Sequence, residues 1–201
     1  MILSENFLLE EMTSTTWDNL SKIKQMLMMY MANQILQKIH NKLLNHTMTV
    51  TSGERSQLDF NRLVKEGLNP SITSDHNFGN LASLDAVKHA DKYKMFGQNY
   101  VYGVGAVDIV FTKQNKTKCT LEEVKVIFNT IVNMDVNKEI KIGQVILEYN
   151  PSGGKLWIHI ANPAWLIYSD SFIKLTGLQK PYNKYMTSMD GGKSYKQYIN
   201  Y

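Results

Sequence analysis

Gly105-Ala106-Val107-Asp108-Ile109-Val110-Phe111-Thr112 is the stretch on which the reading of this chain turns. Its nearly continuous Ala, Val, Ile and Phe predict a strand buried in a sheet. One carboxylate, Asp108, interrupts it. A lone carboxylate in apolar surroundings is costly to bury unless it is paired or holds a metal. The alternative is an Asp that caps a loop or holds an arginine. Downstream, residues 142–149 and 155–161 read as two more strands joined by Asn150-Pro151-Ser152-Gly153-Gly154, a strong hairpin signal. The hairpin folds Glu148 back beside the strand that carries Leu156-Trp157-Ile158-His159-Ile160.

Helical patterns surround these strands. Leu20, Ile23, Leu27, Met31, Ile35 and Ile39 recur every three or four positions and predict one long amphipathic helix over residues 17–45. The cluster Met26, Leu27, Met28, Met29 and Met31 reads as adaptable core filling, with a promiscuous binding face as the alternative. Thr120-Leu121-Glu122-Glu123 is a capping box that opens a helix to about residue 134. A short strand over 48–52 and helices over 57–66 and 82–94 complete the pattern. Residues 181–201, polar, rich in tyrosine and broken by Gly191-Gly192, read as an irregular C-terminal arm. The sum is an α+β fold in one domain over residues 1–180, a small antiparallel sheet flanked by helices with a long N-terminal helix.

Bulk composition excludes several classes. With 43% hydrophobic and 20% charged residues, the chain is neither disordered nor fibrous. Twenty-two basic and 18 acidic residues leave a net charge of +4. That suits a polyanionic setting such as a bacterial wall or nucleic acid without selecting either, and it suits an ordinary lysine-bearing surface equally. No arginine-rich stripe with interleaved aromatics supports nucleic-acid binding. The longest apolar run, 26–32, is too short to span a bilayer, and the first residues carry Glu5, Glu10 and Glu11 in place of a basic signal-peptide region. Cys119 is the sole cysteine, so neither an intrachain disulfide nor a cysteine cluster is available, and any metal must rest on His and carboxylate.

His76, Asp108 and His159 form such a set. Two imidazoles and a carboxylate leave zinc (Zn2+) an open fourth position, the layout of a catalytic rather than a structural site. Glu148, a strand-end carboxylate that is otherwise simply solvated, could move a proton beside it. His40 and His46 sit toward the end of the long helix, where they face its dipole.

In order along the chain, these residues resemble the family of zinc D-Ala-D-Ala carboxypeptidases and L-alanyl-D-glutamate endopeptidases, whose fold is shared by the hedgehog signalling domain. Asn6-Phe7-Leu8-Leu9-Glu10-Glu11-Met12-Thr13 looks like the lead-in of phage members. Thr51-Ser52-Gly53-Glu54-Arg55-Ser56, followed by Asn61, looks like the segment with the substrate-binding arginine. Ser74-Asp75-His76-Asn77-Phe78-Gly79 and Ala106-Val107-Asp108 match the two halves of the first metal motif, Ser-x-His-x-x-Gly and Ala-x-Asp. Residues 144–148 and Trp157-Ile158-His159 match the closing segment.

The resemblance implies a hedgehog-type peptidase fold with zinc on His76, Asp108 and His159. Glu148 would be the general base and acid, Arg55 the holder of a substrate carboxylate or polariser of the scissile carbonyl, and Ser74 a substrate or supporting contact. It also implies a wall hydrolase acting on bacterial peptidoglycan, from the host cytoplasm before lysis or from a virion. The alternative is a non-catalytic virion or tail protein on the same fold, in contact with other phage virion proteins. Three departures stand out. His76 and Asp108 lie 32 positions apart, so residues 80–102 are an insertion whose ends must return to one place. Val104 replaces a motif glycine, and Leu156 stands where some members carry the catalytic Glu. His89, inside the insertion, lacks the flanking Ser and Gly of His76.

Overall fold

The computed structural model describes residues 1–55, 57–66, 74–83, 91, 94–95, 97, 100–179 and 181–198. The N-terminus forms a tight antiparallel pair, β1 (Ile2–Ser4) and β2 (Phe7–Leu8), followed by a 3-10 turn at Leu9–Glu11. The long helix starts later than the apolar period suggests. Trp17–Asn19 makes its own 3-10 turn, and Leu20 and Ser21 are extended. The Ser21 hydroxyl then accepts from Lys24 N at 3.3 Å and opens α1 (Lys22–Tyr30). A π-helical stretch, Met31–Leu36, runs without a break into α2 (Gln37–Lys42). Leu27, Met28, Met31, Ile35, Leu36 and Ile39 are fully buried, while Met26 and Met29 face outward, so the methionine cluster is split between core and surface.

After β3 (His46–Ser52) come α3 (Gln57–Lys65), the short strands β4 (Leu81–Ser83) and β5 (Tyr100–Tyr102), and β6 (Ala106–Lys113). The capping box forms: Thr120 Oγ1 accepts from Glu123 N at 3.3 Å, and Glu123 Oε2 accepts from Thr120 N at 2.8 Å. It opens α4 (Leu121–Val136). The hairpin β7 (Gln144–Asn150) and β8 (Lys155–Ala161) precedes α5 (Asp170–Thr176), β9 (Tyr185–Ser188) and β10 (Lys196–Gln197). Among the described residues the main sheet has six strands in the order β10-β9-β7-β8-β6-β3.

The protein is therefore α+β, but three expectations need correction. The C-terminal stretch 181–201 is not irregular over its described part, because β9 and β10 extend the main sheet. β9 runs parallel to β7, with Val145 opposite Tyr185 and Glu148 opposite Ser188, so this sheet is mixed rather than antiparallel. The physical reason is the free edge of β7, whose backbone groups need partners. Buried Asp135 on α4 fastens the added strand: it accepts from Tyr185 Oη, pairs with Lys184, and accepts from Ile142 N at 3.1 Å. The helix expected over 82–94 is a strand at its start. Most of its remaining residues, His89 included, lie outside the described residues.

The insertion has paired ends. β4 and β5 form an antiparallel ladder from Leu81 opposite Tyr102 to Ser83 opposite Tyr100. Gly79 N donates to Gly103 O at 2.8 Å, and Gly103 N to Asn80 O at 3.2 Å. The chain thus leaves and re-enters at one place. One face of the main sheet presents Val107, Ile109, Val145, Leu147, Ile158 and Ile160, all essentially inaccessible, to a core shared with the N-terminal helix and α4. No helix among the described residues is long and apolar enough to cross a membrane.

Candidate metal centre

Strand alternation puts every other residue on the face away from that core. There the register sets Asp108 of β6 directly opposite His159 of β8, and Glu148 of β7 opposite Trp157. Glu148 is thus a diagonal neighbour of His159, within reach of a long side chain. Leu156, on the opposite face, packs against the core, so a carboxylate at that position would point away from the site.

His76 arrives from a 3-10 turn, Asp75–Asn77, capped where Ser74 Oγ accepts from His76 N at 3.3 Å. Its carbonyl accepts from Arg55 N at 2.8 Å. Its Nδ1 lies 2.9 Å from Gly53 O. A carbonyl can only accept, so Nδ1 carries the proton and Nε2 presents its lone pair. That Nε2 lies 3.3 Å from Asp108 Oδ1, and His159 Nδ1 lies 3.0 Å from the same oxygen. The two rings stand 5.0 Å apart at 65°. One ligand atom from each of His76, Asp108 and His159 falls within 4.8 Å of the others. A metal with bonds of about 2.0–2.2 Å to each would fit such a set. The Gly53 carbonyl fixes the tautomer of His76, as supporting acceptors do at metal sites.

The lead-in at the N-terminus supports this arrangement. Glu54 N donates to Met12 O at 2.6 Å. The buried Glu54 carboxylate accepts from Thr13 Oγ1 and pairs with Lys24.

Electrostatics differ from residue to residue. Burial pushes Asp108 up, but the adjoining His76 and His159, in their protonated forms, outweigh it and hold the carboxyl well below the usual range. For His159, burial works downward and is overcome by its hydrogen bond to Asp108, so its pKa is raised. Glu148, 7% exposed, is raised chiefly by burial, with the charge of Asp108 adding to it; His159, His76 and a hydrogen bond from Trp157 oppose. Burial likewise raises Asp75. A buried carboxylate beside a charged group, in a cleft, marks a candidate functional site.

The cleft has a volume of about 850 Å³ and is lined by all six residues singled out from the sequence: Arg55, Ser74, His76, Asp108, Glu148 and His159. Ser74 spends its hydroxyl on the His76 backbone. Arg55 borders the cleft; partial burial lowers its pKa, opposed by the charges of Asp108 and Asp59. Sequence reasoning missed a whole wall: Asn183, Met186, Gly191 and Tyr195 come from the C-terminal segment, and Asp75 and Gln144 are also among the lining residues. Gly191-Gly192 was the available signal, read as a break in structure rather than as a turn returning the chain to the sheet. No family model, curated protein or solved structure matches this chain.

Proposed function

We propose that this chain is a zinc-dependent peptidase of the hedgehog/D-Ala-D-Ala peptidase type that cuts stem or cross-bridge peptides of bacterial peptidoglycan. The observation that carries the reading is the pairing, in one cleft, of a His–Asp–His group with a buried carboxylate whose pKa is raised. His76 through Nε2, His159 through Nδ1 and Asp108 would hold the metal. Bound there, zinc supplies Lewis-acid polarisation of a carbonyl and an acidified water.

Glu148 takes the proton of the attacking water and hands it to the leaving amine. A raised pKa suits this double duty, because the group must both gain and release a proton near neutrality. Arg55 offers a planar, permanently charged donor to a substrate carboxylate or to the scissile carbonyl. The +4 net charge favours approach to an anionic wall. The same reading places the protein in an infected host before lysis or on a virion.

The test is hydrolysis of purified peptidoglycan, followed by product mass analysis. Chelator should stop the reaction and zinc restore it. Glu148→Gln should keep its zinc and lose at least about 100-fold in rate. A Glu148→Gln protein that cuts as fast as its parent overturns the mechanism.

A further inference from the structure

The C-terminal segment carries a phenol to the cleft carboxylate. Ser188 stands opposite Glu148 in the β7–β9 register, and the chain then turns around Asp190. Asp190 Oδ1 accepts from Ser188 Oγ at 2.8 Å and from Lys193 N and Ser194 N at 3.0 Å each. Gly192 N donates to Ser188 Oγ at 2.9 Å, and Gly191 N to Tyr149 O at 2.9 Å. These bonds build the turn without any contribution from the Tyr195 side chain.

That side chain lines the cleft. A Cβ on Gly192 would stand 3.1 Å from Glu148 Oε2 and 3.1 Å from Tyr195 Oη, so the carboxylate and the phenol flank one glycine that leaves room for both. Gly192 also has a φ of +84°, which an L side chain rarely adopts. Tyr195 lines the cleft together with Glu148 and is 47% exposed. Within the sheet, Trp157 stands directly opposite Glu148 in the β7–β8 register and lines the same cleft.

We propose that Tyr195 is a positioning residue for Glu148: its hydroxyl donates to the carboxylate and, with Trp157, holds it toward the His–Asp–His group. The site is then incomplete without the segment from β9 to Tyr195. Burial and the negative charge of Glu148 push the phenol up to about 12, so it remains a donor throughout the neutral range. A surface tyrosine with no such role would leave its hydroxyl to water.

This inference rests on the peptidase reading, and the experiment separates the two. Tyr195→Phe, Glu148→Gln and the double variant are compared by zinc content, by kcat and KM on peptidoglycan fragments, and by urea unfolding of the chelated protein. Tyr195→Phe should keep its zinc and hold KM within about twofold while kcat falls on the order of tenfold. In unfolding, the two substitutions should be non-additive, as expected for groups in contact. Additive unfolding effects, or a Tyr195→Phe enzyme with the parent's kcat, overturn the proposal. If the parent itself cuts no peptidoglycan, the peptidase reading falls, and the unfolding cycle still decides for or against the Tyr195–Glu148 contact.

Discussion

Replacing Gly53 by alanine should weaken metal binding although residue 53 offers no ligand. A Cβ there would lie 2.2 Å from Met12 O and 2.7 Å from Met12 C and Cα. Comfortable contacts are about 3.5 Å, so the backbones must part by more than about 1 Å. Met12 cannot easily give way: it is 1% exposed, and its carbonyl accepts from Glu54 N at 2.6 Å. Thr13, next in the chain, is held by its bond to Glu54. Gly53 must therefore move, and its carbonyl is the acceptor that orients His76 Nδ1 at 2.9 Å.

Overpacking of this kind costs about 1–3 kcal/mol. With a urea slope near 2 kcal/mol/M, the unfolding midpoint should drop by about 0.5–1.5 M. Loss of the supporting acceptor should reduce metal affinity about 10- to 100-fold. Competition against a chromophoric chelator reads the affinity, and urea unfolding of the chelated protein reads the stability. A Gly53→Ala protein that binds zinc as tightly as its parent would refute the claim that this close backbone approach sets the His76 geometry.

Asp135→Ala should cost about 3 kcal/mol, because it leaves Lys184 and the Tyr185 hydroxyl without their shared buried acceptor. The midpoint in urea should fall by about 1.5 M; a change of a few tenths would show that β9 is held by its backbone ladder alone. Glu148→Gln should stabilise the chelated protein at neutral pH. Folded Glu148 keeps its proton above the ordinary value of 4.5, so the parent loses stability as pH rises through that value, whereas glutamine cannot ionise. Below pH 4.5 the two proteins should converge; a variant less stable than its parent at about pH 7 would contradict the sign of this shift.

Much of the site was legible because its clues are local. Asp108 stands out as one carboxylate in an apolar strand, and the two-residue period then places His159 and Glu148 on a common face once the hairpin is recognised. The Thr120 capping box needs four consecutive residues and forms as read. His76 was harder, because its approach to Asp108 depends on the closing of the insertion, which the β4–β5 ladder accomplishes. Tyr195 left no trace, since nothing in 181–201 alternates strongly enough to announce a strand.

The donor types, the face of the sheet that carries them, and the opening of α4 at the Thr120 capping box follow from the amino-acid sequence alone. Those features depend on residues a few positions apart, whose backbone geometry is periodic. Folding across the whole chain sets the rest: β9 fills the open edge of β7, its following turn walls the cleft, and Met12 buttresses Gly53 behind His76. Such contacts join segments far apart in the chain, and they form because unpaired edge groups and buried carboxylates need partners wherever the fold can supply them.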